Sequence, residues 1–132
     1  MYFLDNIKKE ENQILELNKI IKKDIIITKE NAITLINNKN TFLKEIGRID
    51  LTNTIIENII ITFIDSPYIE KDNYLNVLIS LTETFITYEH IFSKKLSSEE
   101  ILNYLKDEFA KNEGCIDLLN NDSLEKLCDK LC

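Results

Sequence analysis

Residues 74–92, YLNVLISLTETFITYEHIF, decide the fold. Tyr74, Leu78, Leu81, Phe85, Tyr88 and Phe92 recur at spacings of four, three, four, three and four, the repeat of one helix face and not the alternation of a strand. Leu75, Ile79 and Ile86 widen that face. A helix apolar over so much of its circumference belongs at the centre of an all-α core.

The same period extends outward in both directions. Toward the N-terminus, Ile55, Ile56, Ile59, Ile60, Phe63 and Ile64 form the stripe of a third helix, opened by Asp50 or Thr52. Pro67 stops it near Asp65, because the residue before a proline is pushed out of the α region. Asp65 or Ser66 is then expected to cap the central helix, with Pro67 at its first position, where a missing N–H costs nothing. A second helix, carrying Ala32, Ile33, Leu35, Ile36, Phe42, Leu43 and Ile46, is bounded by Thr28 as N-cap and Gly47 just past its end. Asn37-Asn38-Lys39-Asn40 has poor helix propensity and is expected to weaken or kink it. Ile7, Ile14, Leu17 and Ile21 mark a first helix over residues 5–23, and Ile25-Ile26-Ile27 reads as a short extended link.

Toward the C-terminus, LSSEEI (96–101) has the spacing of a capping box, Ser97 with Glu100, flanked by Leu96 and Ile101 as a hydrophobic staple. A fifth helix therefore starts at Ser98, buries Ile101, Leu102, Leu105 and Phe109, and ends before Gly114. Asp122 and Glu125 repeat the box spacing ahead of a last short helix with Leu124, Leu127 and Leu131. The reading is an all-α, bundle-like single domain of five to six helices over residues 1–132.

Composition agrees. The chain has 132 residues, 44% of them hydrophobic and 30% charged, with two glycines and one proline, a globular balance poor in chain breakers. Its net charge is −7, and residues 51–132 hold seven Lys/Arg against fifteen Asp/Glu. Phosphate backbones and anionic membranes repel such a surface, so neither nucleic acid nor membrane is expected as a partner. With no signal-peptide layout at the start and no apolar run of spanning length, a cytoplasmic location is expected. Two isolated glycines cannot build a phosphate-binding loop.

Each candidate site has a plain structural explanation beside it. His90, the one histidine, lacks a metal-binding or catalytic spacing and reads as a surface or half-buried residue. Cys115, Cys128 and Cys132 read as ordinary thiols in a reducing compartment, with metal or redox sensing as the functional alternative. Glu10-Glu11 and Asp107-Glu108 read as solvated helix surface, and Glu99-Glu100 as cap and dipole complement. In FIDSPYIEKDNY (63–74), a helix corner, the residues Asp65, Ser66, Tyr68, Glu70, Asp72 and Tyr74 form a candidate acidic, tyrosine-bearing interaction patch. An enzyme built from Asp65, Tyr68, Glu89 and His90 is a distant third reading.

The words IGRID (46–50), FIDSPYI (63–69), NY (73–74) and LSSEEILNYL (96–105) resemble an uncharacterised family of short proteins from clostridia and related Firmicutes. The resemblance covers residues 28–125, leaving 1–27 as an N-terminal helix and link and 126–132 as a helix end. It implies a bacterial intracellular protein and carries no activity. With no cofactor expected, the leading functional expectation is a non-enzymatic helical module that binds an unidentified protein, possibly a second copy of itself. The alternative is a small-ligand or metal/redox-sensing protein that uses the C-terminal cysteines or a cleft between helices.

Overall fold

A computed structural model of the chain describes residues 2–50 and 52–131, with side chains from residue 7 onward. Every regular element among the described residues is helical, so the all-α class stands. Six helices of nine residues or more are α1 (Tyr2–Glu16), α2 (Lys29–Glu45), α3 (Ile55–Phe63), α4 (Tyr74–Phe92), α5 (Ser98–Lys111) and α7 (Asp122–Leu131); α6 (Ile116–Asn120) is a single turn. Packing divides the chain into two compact units, Met1–Thr82 and Glu83–Cys132. The stripe that decides the fold is buried along its whole length: Tyr74, Leu78, Leu81, Phe85, Tyr88 and Phe92 are each 8% exposed or less.

In the first unit α1 packs chiefly against α2, and both touch α3. Helix α1 is shorter than the expected 5–23. It passes into a 3-10 turn at Leu17–Lys19, where the Asn18 carboxamide bonds both backbone groups of Ile27, at 2.8 and 2.9 Å. Asn18 thus acts as the strand neighbour that the extended link lacks, with Ile25 and Ile27 buried and Ile26 turned outward. Thr28 caps α2 by accepting from the Asn31 amide. At the other end Gly47 has φ +72°, and the Gly47 and Arg48 amides bond the Lys44 and Leu43 carbonyls, at 3.0 and 2.8 Å. That is a Schellman motif, and it needs a residue that accepts positive φ. The Asn37–Asn40 stretch does not kink α2, which runs through it unbroken.

Two expected helix starts are corrected. Helix α3 begins at Ile55, not at Asp50 or Thr52, because the Asp50 side chain closes a turn of its own. Its Oδ1 accepts from the Thr52 and Asn53 amides at 3.0 and 2.9 Å. Helix α4 begins at Tyr74, not at Pro67. Pro67 occupies the second position of a β-turn closed by the Ile69 amide on the Ser66 carbonyl, a place its fixed φ suits equally well. A second turn follows, in which Asn73 Oδ1 accepts from the Glu70 amide at 2.7 Å.

In the second unit the Ser97–Glu100 capping box is formed in both directions, at 3.0 and 3.1 Å. Helix α5 ends in another Schellman motif, with Glu113 at φ +54° where Gly47 stands in α2. The Asp122–Glu125 box is off by one residue. The first helical bond of α7 runs from the Glu125 amide to the Asn121 carbonyl, so both acids lie inside the first turn and complement the helix dipole. The Tyr88 hydroxyl donates to the Leu119 carbonyl and the Tyr104 hydroxyl to the Ser123 carbonyl, each at 2.6 Å, tying α6 and α7 to the longer helices.

Candidate functional site

The residue that least fits its surroundings is Lys39, fully buried in the middle of α2. Its position continues the stripe of Ala32, Leu35 and Ile36 toward Leu43, so the helix turns it into the core. Glu10 is placed the same way, one step of the stripe from Ile7 and Ile14, and is 3% exposed. The reading of Glu10-Glu11 as solvated surface is therefore corrected, since both are buried. The Glu108 half of the Asp107-Glu108 pair is buried as well, held by the Ser123 hydroxyl and by Lys126, each at 2.9 Å.

Lys39 Nζ reaches Glu10 Oε1 at 2.8 Å, Glu10 Oε2 at 2.6 Å and Asp50 Oδ2 at 2.8 Å. An ammonium has three protons, and these three oxygens use them all. Burial raises the Glu10 pKa, helped by the nearby Asp50 charge and only partly offset by Lys39. For Asp50 burial is again the largest single influence, but Lys39 together with the Asn53 and Thr52 amides outweighs it and holds the carboxyl below its ordinary value. Asp50 is the firmly ionised member of the cluster, and Glu10 is the one nearer to taking up a proton.

The two carboxylate residues of this cluster, Glu10 and Asp50, line a cavity of about 670 Å³. Its walls come from Ile7 and Glu10 of α1, from Asn37, Asn40, Thr41, Leu43 and Lys44 of α2, and from Arg48, Ile49, Asp50 and Asn53 of the following loop. Small-molecule sites fall in the same range of volume and likewise combine apolar walls with a few polar groups. The triad holds that part of the wall in place, because moving Lys39 or either carboxylate would break a buried ion pair.

The corner residues are dispersed differently from the patch drawn on the sequence. Asp65, Tyr68, Glu70 and Asp72 are exposed and Ser66 is half-buried. Tyr74 is turned inward, its hydroxyl donating to the Ile26 carbonyl at 3.3 Å and accepting from the Asn31 carboxamide, so it presents no surface. A depression of about 310 Å³ beside Pro67 is crossed by Lys23, whose ammonium is bound to the Ser66 and Ile69 carbonyls. His90 is exposed, and Glu89 accepts from the Ser98 hydroxyl at 2.6 Å. Cys115 is exposed at the start of α6, Cys128 is half-buried, and Cys132 lies outside the described residues. Among the described residues no three His, Cys, Asp or Glu side chains gather in a way that could hold a metal ion.

Fold and site together define an all-helical protein with a buried carboxylate–ammonium–carboxylate cluster whose two acidic residues line a small-molecule-sized cavity. The chain belongs to the family of unknown function DUF6323, whose model matches residues 13–132. That span contains Lys39 and Asp50, and it reaches beyond the 28–125 of the sequence resemblance at both ends. None of the curated proteins and none of the solved structures matches the chain.

Proposed function

We propose that this protein binds a small polar molecule in the cavity lined by Glu10 and Asp50, the two carboxylates that Lys39 holds. The observation that carries the reading is a fully buried lysine whose three protons are all used to hold two carboxylates at the base of that cavity. Burying three charges is costly, and a well-packed apolar replacement is often neutral or stabilising. A wall that keeps such a cluster beside an open volume is better explained by what the volume holds than by stability. This is the cleft form of the ligand-binding alternative, and it takes precedence over the protein-interaction reading because the corner at 65–74 has lost Tyr74 to the interior. No helix among the described residues is long and apolar enough to cross a membrane. Cys115 and Cys128 are free thiols, which suits a reducing compartment such as the cytoplasm.

The test incubates the full chain with fractionated small molecules from a bacterial extract, using a thermal-shift readout and mass spectrometry of what remains bound. Wild type is expected to retain a compound and melt higher, and Asn40→Trp or Thr41→Trp, which fill the cavity, to lose both effects. Retention of nothing by wild type, or equal retention by both folded tryptophan variants, would overturn the proposal.

A further inference from the structure

Resting on that reading, we infer that the ligand is a free amino acid with an apolar side chain. Its ammonium is held on the Asn40 and Asn53 side of the cavity, its carboxylate pairs with Lys44, and its hydrocarbon lies on Ile7 and Ile49. The starting point is a set of residues that the fold does not explain. Asparagine is among the poorer helix formers, yet Asn37 and Asn40 stand inside α2, which runs through them unbroken. With Thr41 and Lys44 they occupy positions 37, 40, 41 and 44, the three-and-four spacing of one helix face, and that face lines the cavity. Among the described residues none of these four side chains has a hydrogen-bond or ion-pair partner. The same holds for the Asn53 carboxamide, whose backbone amide is bound by Asp50.

The wall offers both signs of charge. Lys44 is exposed and unpaired among the described residues, so its ammonium is open to a carboxylate. Glu10 and Asp50 share the single ammonium of Lys39, so the triad carries one negative charge more than it cancels. Buried charges are poorly screened, and that excess draws a cationic group to its side of the cavity. Both carboxylates are nearly inaccessible there, with side chains 3% exposed. The contact itself therefore falls to the carboxamide oxygens of Asn40 and Asn53, which are acceptors. A ligand with a positive group alone is opposed by Lys44, and one with a negative group alone by the triad; a zwitterion meets both. Arg48 lines the same wall but already has a partner within the protein, so the recognition is assigned without it. Ile49 is 76% exposed, an apolar side chain that the hydrocarbon of the ligand would cover.

Backbone amide shifts of the full chain, followed by NMR, test this during titration with leucine and three analogues. These are 4-methylpentanoate, which lacks the ammonium, 3-methylbutylamine, which lacks the carboxylate, and glycine, which lacks the hydrocarbon. Leucine is expected to shift Asn40, Lys44 and Asn53 and to bind more tightly than all three, by about tenfold for each charge-assisted contact an analogue loses. Lys44→Gln is expected to weaken leucine about tenfold and leave 3-methylbutylamine unchanged, with Lys44→Arg restoring leucine. Asn40→Ala is expected to weaken leucine and 3-methylbutylamine and leave 4-methylpentanoate unchanged. Lys44 is exposed, and alanine is the better helix former at position 40, so these variants keep the fold. Any analogue binding these residues as tightly as leucine, or leucine binding Lys44→Gln or Asn40→Ala like wild type, would overturn the inference and leave the binding proposal standing. The inference is equally overturned if leucine shifts none of these residues at millimolar concentration, and the extract experiment then decides the binding proposal on its own.

Discussion

Replacing Lys39 with methionine preserves much of the side-chain length and removes the positive charge from between Glu10 and Asp50. The ammonium lies 2.6–2.8 Å from three carboxylate oxygens and is inaccessible to solvent. At an effective dielectric constant of about 20, unit charges about 4 Å apart interact by about 4 kcal/mol. Two such attractions are lost, and the repulsion between the two carboxylates is left uncompensated until one of them takes up a proton. Breaking a buried pair by removing one partner costs about 3–5 kcal/mol, and the variant is expected to lose that much at about pH 8. A loss of this size is a large part of the stability of about 5–15 kcal/mol that ordinary domains possess.

The pH dependence gives the prediction its sign. In wild type the lowered Asp50 pKa contributes stability that is present above its unfolded value and lost as pH falls through the folded one. Glu10, with its pKa raised, favours folding below its unfolded value, and that contribution is lost as pH rises through the folded one. Without Lys39 both carboxyls rise, the folded state takes up protons, and the gap between variant and wild type narrows toward about pH 5. Urea unfolding followed by circular dichroism at both pH values measures it. A loss below about 1 kcal/mol that does not change with pH is what an exposed pair produces, and it would refute the buried cluster. The triple replacement Glu10→Gln, Lys39→Met, Asp50→Asn is expected to recover most of the loss, because it leaves no buried charge unpaired.

Other measurements probe the second unit and the helix ends. Burial, followed by the neighbouring charges, raises Tyr104 to about 12 and pushes Tyr88 higher still; absorbance titration of the folded protein is expected to show two tyrosines ionising well after ordinary ones, and normal ionisation of all would contradict the hydrogen bonds of their hydroxyls to the Leu119 and Ser123 carbonyls. Glu113→Gly is expected to stabilise by about 1 kcal/mol, because a non-glycine at φ +54° is strained. Gly47→Ala should destabilise by a similar amount through its backbone alone, since an added Cβ there meets nothing within 4 Å; thermal melts of the two variants should move in opposite directions. Ser97→Ala removes the acceptor for the Glu100 amide and should cost about 1 kcal/mol in denaturant unfolding.

Local chemistry was enough to read the helices. The 74–92 stripe, the Ser97–Glu100 box, Thr28 as a cap and Gly47 as a helix end are short-range arrangements of backbone and nearby side chains, so residue type and spacing determined them. Starts that depended on a remote partner were misplaced. Asp50 could have capped α3 but is held by Lys39, and Asn18 ends the first helix early because Ile27 needs its carboxamide. The candidate site left one sequence signal that went unread: Glu10 and Lys39 each interrupt an apolar stripe at a position that must face inward.

The sequence by itself determined that the chain is helical, where most helices lie and which faces are apolar, because a 3.6-residue period is a property of consecutive residues. Only the tertiary structure decided that Glu10, Lys39 and Asp50 meet, that one buried ammonium is shared by two carboxylates, and that those carboxylates line a cavity. Those residues are 29 and 11 positions apart, and no local rule couples groups so distant. Burial makes each charge depend on the others, and burial is settled only when helices α1 and α2 pack.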